Sequence, residues 1–246
     1  MRIAVAGGTG AVGRRIVELA DAAGHEVRVL SRSTGVDLER GTGLDLTGVD
    51  TVIDASGVQT TSARRSERFF TSATRHLLAA EVAAGVTHHV ALSIVGASRA
   101  PHGYYAGKAA QERAVAAGPV PWSILRAAQF FEFAHQVATR VGPLVVVPAM
   151  RSQPLAATTV AARLLELAEG GPIGDAEDLA GPREERMVEL TRAWRARTGA
   201  TGRVIEVPIP GGFGRAIRSG AILPGPGAQL TTQTFAEWLQ AEPPLR

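Results

Sequence analysis

The sequence predicts an α/β protein, a doubly wound parallel sheet with a small C-terminal lobe, and three observations carry that prediction. Arg2 to Ala6 is an apolar run without the alternation of a half-exposed strand, so it suits a central parallel strand. Gly7, Gly10 and Gly13 follow it in the pattern G-x-x-G-x-x-G, and the segment behind them keeps Val12, Ile16, Val17, Leu19 and Ala20 largely on one helical face. Strand-like and helix-like patterns then alternate along the chain, as a sheet with crossover helices requires.

In a Rossmann-type loop of this kind the first glycine allows the tight turn off the strand. The second admits a pyrophosphate to the backbone, and the third lets the helix approach the sheet. Unpaired amides at the helix start face the phosphates, so Gly7, Thr9, Gly10, Val12 and Gly13 are the candidate residues for a dinucleotide.

At 246 residues and 45% apolar content, the chain can bury one full core. Residues 1–246 are expected to form a single dinucleotide-binding domain, with the substrate lobe contributed mainly by about 127–246. With no cysteine, disulfides and thiolate metal sites are excluded. No apolar run approaches eighteen residues and no signal peptide is visible, so a cytoplasmic protein without a membrane span is expected. The pI near 10.1 accompanies a formal charge of only +3. Its arginines, including Arg64, Arg65, Arg68 and Arg192, Arg195, Arg197, read as solvated helix faces, and no nucleic-acid partner is expected.

His25 to Leu30 reads as the second strand. Where NAD-specific folds place an acid at its end, this chain has Ser31-Arg32-Ser33, a cation flanked by hydroxyls that favours NADP(H) over NAD(H). Arg14 is a weaker candidate from the helix side. Between Thr34 and Asp50 there is no room for a crossover helix and a strand. Gly43 to Leu46 serves instead, with Asp45 and its neighbour Leu46 candidates for the adenine edge. Thr51 to Ala55 is the next buried strand, and Ala55, Ser56 and Gly57 end it where a strand meets the cofactor; Asp54 reads as structural. Ser66 to Ala84 has helical spacing and Thr87 to Leu92 is a strand. Adjacent His88 and His89 then point to opposite faces, and no metal site is assigned.

The stretch from Ser93 to Lys108 carries the chemistry. Lys108 is the only lysine among 26 basic residues, and the only two tyrosines, Tyr104 and Tyr105, lie just before it. On a helix starting near His102-Gly103, Tyr104 and Lys108 share a face, and a nearby ammonium would favour the tyrosinate. Arginine could not replace the compact ammonium that also reaches ribose hydroxyls.

Beyond this, Pro121 to Leu125 reads as a strand, Phe130 to Arg140 as a helix, and Leu144 to Val147 as a strand closed by Pro148. Thr158 to Glu169, preceded by hydroxyl cap candidates, and Glu184 to Thr198 read as helices, and Val204 to Val207 as a late strand. Pro208 to Gly227 reads as loops around one short helix, equally a lid or a surface connection. Trp122, Phe130, Phe131, Phe133 and Phe213 could line an apolar pocket or fill a core. Apart from Glu242-Pro243-Pro244 the chain has no low-complexity segment.

The glycine triplet, Tyr104-x-x-x-Lys108 and Ser93, eleven residues before Tyr104, resemble the short-chain dehydrogenase/reductase superfamily. Leu92 to Gly96, Tyr104 to Lys108, Ile124 to Glu132 and Thr234 to Leu239 resemble its atypical branch of compact, NmrA-like NAD(P)H-binding proteins. The resemblance implies Tyr104 as general acid/base, Lys108 on the nicotinamide ribose and Ser93 on the reacting carbonyl. It also places Arg126 to Phe130, Ala128 included, beside the nicotinamide. The chain departs from it at Asp54-Ala55-Ser56-Gly57, where larger members carry Asn-Asn-Ala-Gly. Two functions follow: an NADP(H)-dependent oxidoreductase acting on a carbonyl, enone or quinone-like small molecule, or a non-catalytic sensor of the NADPH/NADP balance.

Overall fold

The computed structural model describes residues 1–241; the Glu242-Pro243-Pro244 reading lies outside the described residues. The chain begins β1 (Arg2–Ala6), α1 (Ala11–Ala22), β2 (Glu26–Leu30), then a 3-10 turn, β3 (Thr51–Asp54), α2 (Ala63–Ala84), β4 (His88–Ile94), α3 (Tyr104–Ala116) and β5 (Trp122–Ala127). It continues α4 (Phe133–Gln136), β6 (Thr139–Val141), β7 (Leu144–Pro148), β8 (Arg151–Ser152), α5 (Ala157–Gly170), β9 (Gly174–Asp175), β10 (Leu179–Ala180) and β11 (Glu185–Arg186). It ends α6 (Met187–Thr198), β12 (Arg203–Val207), α7 (Gly211–Ser219), β13 (Gln229–Leu230) and α8 (Phe235–Ala241).

The main sheet is parallel and runs β13-β10-β5-β4-β3-β1-β2, with β9 also paired to β5. Strand order reverses at β1, between β2 on one side and β3 on the other, and in open α/β sheets ligands bind outside the carboxyl ends at that reversal. β2 is the edge because Thr34 to Asp50 holds only the turn and irregular chain, as its length required.

The strands are buried on both faces. On one side Ile3, Val5, Ile53, Val90 and Leu125 meet Ile16 of α1 and Val160 and Leu164 of α5. On the other, Ala4, Ala6 and Val52 meet Leu77 of α2, and Ala91 and Ile124 meet Val115 of α3. A second apolar cluster joins Phe131, Met187, Leu190, Ile217, Phe235 and Trp238, and Tyr105 enters it from α3. Beside it lie the sheets β12-β7-β6 and β11-β8.

Two expectations fail here. Phe130 to Arg140 forms only the single turn α4 before β6. Phe131 packs edge-on against Phe235 and tilted against Trp238, and the chain then turns back at Gly142 with φ +57 into the β6-β7 hairpin. Tertiary packing of the aromatics overrides their helical spacing. Helix α5 starts after Ala156 with no side-chain cap, so the expected hydroxyl caps are not used. No helix among the described residues is long and apolar enough to cross a membrane.

Candidate functional site

The carboxyl ends of β1, β2 and β3 bring most of the candidate binding residues to one edge. Gly7 leaves β1 with φ +74, and a Cβ there would lie 2.7 Å from Ser56 Cα, so only glycine permits the loop to pass this close to the β3 end. A Cβ on Gly13 would stand 2.1 Å from the Gly7 oxygen, whereas on Gly10 the nearest atom would be that oxygen at 3.1 Å. Gly13 is therefore required for helix packing, and Gly10 faces a comparatively open surface. Helix α1 has no side-chain cap, which leaves its first amides for an anion. Val12 is buried in the core and can offer only its backbone; Thr9 is exposed in the loop.

Beside this loop the Ser56 hydroxyl is buried and has no protein partner. An orphaned polar atom next to a glycine cradle fits a bound nucleotide. Ala55 donates its amide to Ala6, closing β3 onto β1. Ser31 caps the 3-10 turn with Thr34, and Arg32 follows it exposed, with no ion pair among the described residues. A free guanidinium therefore stands at the β2 end.

Other candidates do different work. Asp45 closes its own turn on the Thr47 amide at 2.9 Å and lies 3.8 Å from Arg28. The Thr47 hydrogen bonds hold its carboxyl below the usual range. Leu46 is buried among Val36, Val49 and Leu77. Ala128 is buried, and its amide donates to Leu179 at 2.8 Å. Arg14 is exposed.

Helix α3 starts after Gly103, so Tyr104 and Lys108 share a face as expected. Both meet Phe70 of α2: the Tyr104 ring edge-on at 5.4 Å, the Lys108 ammonium 4.3 Å from the ring centre. The Tyr104 hydroxyl approaches the β3 end, where a Cβ on Gly57 would lie 3.4 Å from it. The expected activation is not what this geometry produces. Burial pushes the Tyr104 phenol up, and the negative charge of Asp54 adds to that. Lys108 Nζ instead donates to the Leu92 carbonyl and to Gln111 Oε1, both at 2.7 Å.

Ser93 also departs from its expected role. Its hydroxyl donates to Glu112 Oε1, and Glu112 accepts two further bonds from Arg126 at 3.0 and 2.9 Å. Glu112 lies eight residues beyond Tyr104 on α3, about 12 Å of helical rise. The Ser93 proton is thus committed to an internal network rather than offered to a substrate oxygen. Arg126 is held further by Asp175 at 2.8 Å.

Sequence reasoning passed over Gln111, Glu112 and Phe70 and underrated Asp54. Gln111 and Glu112 follow Lys108 by three and four residues, the spacing that puts them on its face, and that was the available signal. His88 and His89 do point apart, one to Ser123 and the other to Glu81.

No protein-family model and no curated protein matches the chain. Solved structures do. A short-chain dehydrogenase/reductase superfamily protein from Agrobacterium tumefaciens with bound NAD is 18% identical with a TM-score of 0.69, covering 98% of this chain and 95% of its own. A nucleoside-diphosphate-sugar epimerase from Staphylococcus aureus is 17% identical with a TM-score of 0.69, covering 98% and 100%. The UDP-glucose 4-epimerase of Thermus thermophilus in complex with NAD is 19% identical with a TM-score of 0.66, covering 98% and 92%. The chain thus has the Rossmann-like fold of short-chain dehydrogenase/reductase structures, over nearly its whole length.

Proposed function

We propose that the protein binds a nicotinamide dinucleotide, NADP(H) in preference to NAD(H), and reduces a carbonyl, enone or quinone-like small molecule. The observation that carries this reading is the Tyr104 hydroxyl standing against Gly57, at the same sheet edge as the glycine cradle. Gly7, Thr9, Gly10, Val12 and Gly13 would take the pyrophosphate through backbone amides, and Arg32 with Ser31 a 2′-phosphate. Asp45 and Leu46 would border the adenine through their backbone, and Ala55, Ser56, Gly57 and Ala128 would line the nicotinamide half. A reduced nicotinamide supplies the hydride. Tyr104 would protonate the oxygen that gains charge, a role suited to a phenol held protonated by burial. Lys108 would donate to ribose hydroxyls. Ser93 is assigned to holding Glu112 rather than to the substrate.

On this reading the chain would belong to the NmrA-like, atypical branch. A screen of carbonyl, enone and quinone compounds tests it by NADPH consumption. A second reading, a non-catalytic NADP(H) sensor, draws on one observation: the Lys108 ammonium and the Ser93 proton are both spent on protein partners. No turnover across the screen, together with a conformational change on exchanging NADPH for NADP, would select it.

A further inference from the structure

The chain's only lysine lies in buried, polar surroundings. Lys108 is 3% exposed, Gln111 1% and Asp54 0%. Lys108 Nζ donates to Gln111 Oε1, and Gln111 Nε2 donates to Asp54 Oδ2 at 2.7 Å. Asp54 Oδ1 accepts the Ser56 amide at 2.9 Å. The amide of Gln111 is therefore oriented with its oxygen on the cation and its nitrogen on the anion, and it bridges a carboxylate on β3 to an ammonium on α3. The Leu92 carbonyl accepts a second N–H of the ammonium, and the Phe70 ring centre lies 4.3 Å from it.

Burying a carboxylate and an ammonium inside a helix-sheet interface is costly, and apolar residues of similar volume would often serve stability as well or better. The other charges nearby are already engaged. Glu112 is bonded to Arg126 and Ser93. His89, on β4 toward Asp54, is bonded to Glu81 of α2. The phenol of Tyr104 is neutral.

We propose that Asp54 and Gln111 are positioning residues for Lys108: the carboxylate, acting through the glutamine amide, keeps the ammonium charged and fixed beside Tyr104. Burial pushes Lys108 down to about 8, while Asp54 first and Glu112 second oppose that fall. Without Asp54 the lysine would lose its proton closer to neutrality. The tie to ribose hydroxyls rests on the nucleotide reading above; the positioning itself does not.

A lysine present once gives a single resonance when the protein is grown with lysine labelled at Cε. In the wild-type chain that signal is expected to titrate near pH 8, with the Gln111 side-chain amide shifting in step. Asp54→Asn and Gln111→Leu should each move the midpoint to lower pH, while Asp21→Asn, on the exposed side of α1, should leave it in place. A midpoint unmoved by Asp54→Asn overturns the proposal. Should the variants fail to fold, a wild-type midpoint at the ordinary lysine value, or a Gln111 amide indifferent to it, overturns it as well. An Asp54-dependent midpoint whose resonance ignores added NADP would leave the positioning standing and overturn the nucleotide reading alone.

Discussion

His89 Nδ1 stands 2.8 Å from Glu81 Oε1, and neither side chain has any exposed surface. Burial alone would push the imidazole down, but the charge and hydrogen bond of Glu81, aided by Asp54, raise it above its ordinary value. A raised folded-state value means that this pair stabilises the fold fully below about pH 6.5 and less as pH rises through the raised value. Glu81→Gln should therefore cost about 3 kcal/mol near pH 6 and clearly less near pH 9. Denaturant titrations at the two pH values measure it, and an equal loss at both would contradict the pair's ionic character.

The glycine loop separates folding from binding. Gly13→Ala puts a Cβ 2.1 Å from the Gly7 oxygen, a backbone clash with no flexible side chain to yield, and should cost about 2 kcal/mol or more. A Cβ on Gly10 meets only the Gly7 oxygen, at 3.1 Å, so Gly10→Val is the milder change for the fold. It should leave the melting temperature nearly unchanged while abolishing nucleotide binding, because the added bulk occupies the pyrophosphate's approach. Calorimetric titration with NADPH decides the second half; unchanged affinity would refute the loop assignment.

The pattern of what was readable follows the range of the interactions. Gly7, Gly10 and Gly13 were legible because their constraint is on the backbone and local. The short Thr34 to Asp50 connection was legible because chain length alone forbids another crossover. The partners of Lys108 and Ser93 were not. Asp54 reaches Gln111 across 57 residues and Ser93 reaches Glu112 across 19, so Ser93 looked free when its proton was taken. The helix expected over Phe130 to Arg140 failed for the same reason, since Phe131 is committed to α8, more than a hundred residues away.

The proposed preference for NADP(H) rests on Arg32. It stands exposed after β2, with no carboxylate paired to it among the described residues. Arg32→Asp should weaken NADPH binding by about 2 to 5 kcal/mol, replacing a charge-assisted bond by repulsion, and change NADH binding much less. Parallel titrations with both nucleotides test this, and equal losses would remove Arg32 from the site.

Tyr104 and Tyr105 are neighbours whose hydroxyls serve different ends. Tyr104 faces Gly57 at the sheet edge. The Tyr105 hydroxyl accepts a bond from Gln129 Nε2 at 2.8 Å, and its ring lies 5.8 Å from Phe213 in the second apolar cluster. Tyr104→Phe should leave NADPH affinity within a few fold and lower turnover by about 10² to 10⁴, the usual contribution of a positioned acid or base. Tyr105→Phe removes the acceptor of a buried amide and should lower stability by about 1 kcal/mol, with turnover nearly unchanged. Thermal unfolding and steady-state rates on both variants separate the two roles. If Tyr104→Phe keeps full turnover while Tyr105→Phe loses it, the proton belongs to Tyr105, whose hydroxyl Gln129 holds.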